Sequence, residues 1–221
     1  MTVEPPPTPA PAVETPFKPF AEIWLHPRRT VRRLVETDPE KWVILLACLA
    51  GVGATLDRAS SRNLGERIDW QLIVFGACLL GPLGGLLRLW LYSHLIRWTG
   101  TWIGGIPDRG PIRTAVAWST VPAIVALPLW IPMLVFFGQE SFTEETPRLD
   151  ANPLLAIPLI GIGLVQIGLT IWMIVIISNA VAEVQGFRSA WKGFGNITLA
   201  ALVVIVPIAL ILAAYFMIAA N

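Results

Sequence analysis

Charge is scarce in this chain: 14% of its 221 residues are Asp, Glu, Lys or Arg, against about a quarter in a soluble domain. Histidine is scarcer still. With only His26 and His94, and His26 outside the bundle just before Pro27, a histidine triad or a multi-histidine metal centre is not expected. The two cysteines, Cys48 and Cys78, fall inside apolar runs and lack both zinc-ligand spacing and the density of a disulfide scaffold. There is no GK[ST] phosphate loop, no HExxH, no CxxC and no GxSxG elbow. These absences point away from an enzyme, and no cofactor or metal is expected. Sixteen basic against fifteen acidic residues conceal an uneven distribution, so the balance itself says nothing about nucleic acid or acidic substrates, and no nucleic-acid partner is expected.

What is there is apolar. Hydrophobic residues make up 55% of the chain and the mean hydropathy is +0.66, values of a membrane protein. Five apolar stretches occur at about 42–56, 70–92, 112–137, 153–182 and 197–220. All but the first exceed the roughly 20 residues needed to cross a hydrocarbon core of about 30 Å. The first, "WVILLACLAGVGATL", has fifteen residues; it spans with help from Lys41 and Asp57 snorkelling or a thinned bilayer, and buried re-entry is the competing reading. The expected fold is all-α: a polytopic bundle of five transmembrane helices with a preceding amphipathic interfacial helix.

Three segments follow from the composition shifts. Residues 1–19 hold seven of the nineteen prolines and read as a disordered cytoplasmic tail, with no signal peptide, so that insertion relies on the first span. Residues 20–40 form a basic amphipathic segment. Pro27 suits a helix start and Pro39 a stop; Arg28, Arg29, Arg32, Arg33 and Glu36 share one arc, with Val31, Leu34 and Val35 opposite. The arginines are candidates for contact with anionic headgroups at the cytoplasmic face. Residues 41–221 form the five-span domain.

The sidedness follows from Lys and Arg. Lys18, Arg28, Arg29, Arg32, Arg33, Lys41, Arg97, Arg109, Arg113, Arg188 and Lys192 flank the spans on one side, eleven in all, against four on the other, Arg58, Arg62, Arg67 and Arg148. The positive-inside rule places the N-terminus in the cytoplasm and the C-terminus in the periplasm of an inner membrane.

Within the spans, Gly81 and Gly85 are four residues apart, the small-xxx-small spacing that allows close helix packing, and Pro82 removes a backbone donor beside them. Arg88, roughly 27 Å along the helix from Trp70, is costly in lipid. Snorkelling to the interface is one solution. A charge pair with Glu183, or a polar cluster of Arg88, His94, Asn179 and Glu183, is the sharper expectation, and a relay role a third. Gln166 and the prolines of span three, Pro122, Pro128 and Pro132, are the features that suit a transporter.

The order "PFAEIWLHPRRTVRRLVETDPEKWVILLACLAGV", "WTGTWIGG", "AVAWSTVP" with Ser119 and Pro122, and "IWMIVIISNAVAEVQGFRSAWK" resembles the bacterial branch of the Yip-domain family, the Ypt/Rab-interacting membrane proteins, over residues 20–220. The resemblance implies a five-span bundle with a cytoplasmic N-terminus. Eukaryotic members are associated with prenylated Rab GTPases and carry an Asp-Leu-Tyr-Gly-Pro motif. Here only "GPL" stands at 81–83, inside a span, so no Rab-binding residue carries over. The expected function is a non-enzymatic organiser of membrane lipids or membrane-protein partners, itself included as a homo-oligomer. The alternative is a small channel or a lipid or solute transporter using spans two to four.

Overall fold

The first apolar run, too short at fifteen residues, acquires length by continuing through charged residues. In the computed structural model, which describes residues 17–106 and 108–219, it becomes helix α3, Val43–Ser61, nineteen residues or roughly 28 Å. Its ends are set by left-handed residues, Trp42 with φ 60° before it and Asn63 with φ 50° after it. Two short helices precede it, α1 (Pro19–Leu25) and α2 (Pro27–Thr37), each opened by a proline whose missing N–H costs nothing in the first turn. The tail expected over 1–19 lies, for residues 1–16, outside the described residues.

Helix α4, Trp70–Trp102, is thirty-three residues long and runs unbroken through Pro82. The third apolar stretch is broken, as its prolines require: α5 (Arg109–Trp118), α6 (Val121–Ala126), a 3-10 turn at Leu127–Leu129 and α7 (Trp130–Phe136). A short α8 (Pro147–Ala151) leads to α9 (Ala156–Val184) and α10 (Ala190–Ala219). The α9–α10 turn is a Schellman closure: Gly186 takes φ 72°, and the Phe187 N–H donates to the Ala182 carbonyl at 2.8 Å. Five helical stretches, Val43–Ser61, Trp70–Trp102, Gly110–Phe136, Pro153–Val184 and Ala190–Ile218, are long and apolar enough to cross a membrane.

Burial divides this bundle into two cores and a lipid-type surface. At the α2 end, Ile23, Val31 and Leu34 join Leu46, Ile112 and Trp118, all fully buried or nearly so. At the other end Trp130 stacks on buried Phe142, with ring centroids 5.4 Å apart. The distal half of α10 is exposed along its length, Ile205, Leu210, Ile211 and Phe216 included, as a hydrocarbon-facing helix should be.

The amphipathic helix is where the sequence placed it, but its apolar arc has a different partner. Val31 and Leu34 are 0% exposed and pack inside the bundle against α5 and α9. The arc that an interfacial helix would lay on lipid docks α2 on protein instead.

Candidate functional site

The seam between α3 and α4 shows why glycine occupies 81 and 85. The two helices are antiparallel neighbours, and a methyl group on Gly85 or Gly51 would run into the backbone carbonyls of Ala47 and Gly81 respectively; one on Gly81 would sit 2.7 Å from the Val52 Cα. Backbones this close admit no side chain between them. Pro82 sits beside the crossing and leaves the Cys78 carbonyl without its intrahelical donor.

The base of the bundle is closed by α1, α2 and the segment after them. The Thr114 hydroxyl donates to the Pro39 carbonyl at 2.5 Å, the Trp118 indole N–H to the Lys41 carbonyl at 3.1 Å, and the Trp172 indole N–H to the Trp24 carbonyl at 3.2 Å. Arg113 pairs with Glu40 at 3.1 Å. Of the α2 arginines, Arg28 donates to the Arg188 carbonyl at 3.3 Å, Arg33 lies 4.5 Å from the Phe17 ring centroid, and Arg29 is exposed. Arg32 reaches α9, where its Nε donates to Glu183 at 2.6 Å. That hydrogen bond first, and the carboxylate's charge second, hold the guanidinium above its ordinary pKa.

This geometry corrects the expected partnership of Glu183. Depth matching favoured Arg88, but α2 lies across the end of α9 and brings Arg32 there instead. Among the described residues the ion pairs are Arg32–Glu183, Arg113–Glu40 and Arg148–Glu140. Arg88 stands 5.5 Å from the Tyr92 ring centroid. His94 meets the Trp90 carbonyl at 2.7 Å through Nδ1, and Asn179 donates to the Val175 carbonyl at 2.9 Å. Arg88, His94, Asn179 and Glu183 therefore form no common cluster; His94 and Asn179 are satisfied within their own helix.

The polar cluster that does form was not foreseen. Asn196 of α10, fully buried, accepts from the Thr99 hydroxyl at 2.7 Å and donates to the Ile96 carbonyl at 3.1 Å, which also receives the amide of buried Gln185 at 3.1 Å. Gly100 and Gly105 leave room for the Gln185 side chain, which a methyl on either would strike. The available signal was polar residues at the ends of three apolar runs, beside "WTGTWIGG" and "EVQGF". A second missed residue is Gln139, whose side chain accepts from the Trp70 N–H at 2.8 Å and donates to the Gly65 and Ile68 carbonyls, pinning the α3–α4 loop.

A cavity of about 160 Å³ lies between α3, the broken span and α9, lined by Asp57, Trp130, Gln166 and Thr170 among apolar neighbours. No group of three or more His, Cys, Asp or Glu side chains is placed to hold a metal among the described residues.

The Yip1 domain family matches residues 21–217. The chain belongs to that family. Five span-length helices and this match make it a multi-pass integral membrane protein of the Yip family. No curated protein and no solved structure matches the chain.

Proposed function

We propose that this Yip-family chain, of the bacterial branch, is a non-enzymatic organiser of the inner membrane that holds proteins or lipids at a basic cytoplasmic base, its N-terminus inside and its C-terminus periplasmic. The observation that carries this reading is the docking of α2. With Val31 and Leu34 locked into the bundle, Arg29 and Arg32 are presented exposed on a fixed surface, and the Arg32 side chain remains 63% exposed while paired. A preorganised basic surface binds anionic headgroups or an acidic partner without the entropy cost of folding a free helix.

A second reading, a small channel or transporter, is favoured by one feature: the cavity holding Asp57 and Gln166 beside a proline-broken span. It involves spans one, three and four, where the sequence suggested two to four. Reconstitution in proteoliposomes separates the readings. The organiser gives proton, sodium and potassium flux no higher than protein-free vesicles; flux that Asp57→Asn abolishes would establish transport instead.

A further inference from the structure

The outer face of α4 carries hydrogen-bond donors and no acid where the helix leaves the membrane. Trp90, His94 and Trp98 follow one another at four-residue spacing, neighbours on one helix face, and with Arg97 and Thr101 they line a groove of about 400 Å³ that holds no carboxylate. The Trp90 and His94 rings lie 4.6 Å apart between centroids, and His94 Nδ1 is engaged with the Trp90 carbonyl at 2.7 Å. Arg97 enters none of the ion pairs among the described residues. The Trp118 and Trp172 indoles donate to carbonyls, whereas those of Trp90 and Trp98 have no acceptor among the described residues. A guanidinium flanked by free indole N–H groups suits an anion. The depth suits a headgroup. Trp90 comes twenty residues after Trp70 on the same helix, roughly 30 Å, which is the thickness of the hydrocarbon core. Arg97 lies seven residues farther out, roughly 10 Å, at the level of the phosphates whichever way the chain is oriented. Toward the core the same face continues as Leu91, Leu87 and Leu83, four residues apart and all exposed.

We propose that this face of α4 seats an anionic phospholipid, its phosphodiester held by the Arg97 guanidinium and the Trp98 indole N–H, with one acyl chain along Leu91, Leu87 and Leu83. The guanidinium fork matches phosphate oxygens, the Trp90 indole stands at the level of the ester carbonyls, and the leucine stripe favours a lipid over a free phosphate ion. A zwitterionic choline headgroup brings its own cation toward Arg97 and is the poorer ligand. The site is apart from the α2 arginines and does not rest on the organiser reading.

The test is photolabelling of the full chain in phosphatidylcholine vesicles doped with a small fraction of phosphatidylglycerol that carries a diazirine in one acyl chain, with adducts mapped by mass spectrometry. Adducts should concentrate on residues 83–91 of α4 over residues 210–216 of α10, which are exposed as well. The same diazirine on phosphatidylcholine or on diacylglycerol should show no such preference, and excess inorganic phosphate should not compete. Arg97→Gln should cut the α4 labelling about tenfold, the loss of one charge-assisted contact, and Thr101→Glu, which sets a carboxylate beside the phosphate, should do the same. Arg29→Gln on α2 should leave it unchanged. The lipid comparisons use the unaltered chain, so the proposal stays testable if a substitution disturbs the fold. Equal labelling of the two helices by phosphatidylglycerol, equal α4 labelling by phosphatidylcholine, competition by inorganic phosphate, or labelling that survives both Arg97→Gln and Thr101→Glu would overturn it.

Discussion

Gly84 and Gly85 are neighbours in sequence with opposite surroundings. A methyl on Gly85 points at the Ala47 carbonyl and the Gly51 Cα across the seam, whereas one on Gly84 meets nothing. Gly85→Ala must therefore push two helices apart, at a cost of about 1–3 kcal/mol, typical of overpacking, while Gly84→Ala removes a flexible residue from a helix interior and is neutral or mildly stabilising. Thermal unfolding in detergent should show a lower midpoint for Gly85→Ala alone; equal effects would mean the seam is not held by glycine. The spacing of Gly81 and Gly85 was legible because small-xxx-small is a one-helix pattern. The partners Ala47 and Gly51 were not, since nothing in a single helix says which neighbour it meets. The same limit hid Asn196, whose contacts, Thr99 and Ile96, lie about a hundred residues away.

At the scale of elements, hydropathy located the spans and missed their ends. Helix α4 continues beyond residue 92 to Trp102, and α10 begins at Ala190, not 197: the added turns carry Thr, Gly, Lys and Asn that lower hydropathy, and among them Thr99 and Asn196 make the buried hydrogen bonds joining α4 and α10. The amphipathic pattern of α2 was plain, but amphipathicity states only that one face is apolar and not whether lipid or protein covers it. Docking of α2 on α9 makes a specific coupling prediction. In a double-mutant cycle, Arg32→Gln and Glu183→Gln should be non-additive in detergent stability, and the swap of Arg32→Glu with Glu183→Arg should recover part of the loss. Arg88→Gln with Glu183→Gln should be additive. Coupling of Glu183 to Arg88 but not to Arg32 would place α2 elsewhere.

For the whole molecule, the asymmetry of eleven basic residues against four predicts the sidedness on which the proposed function depends. Reporter fusions after residues 63, 145 and 221 should be active outside and those after 105 and 188 inside; a cytoplasmic signal at the C-terminus would mean that α3 does not cross. The proposed orientation turns the acidic loop with Glu144 and Glu145 away from the cytoplasm and the arginine face of α2 toward it. The organiser account stands or falls on that face being occupied in the membrane. A photoreactive residue placed at Arg29, exposed on docked α2, should give discrete, reproducible protein or anionic-lipid adducts in native membranes, and the same probe at Glu144 should give none. Matching adduct patterns at the two positions, or none at Arg29, would contradict it.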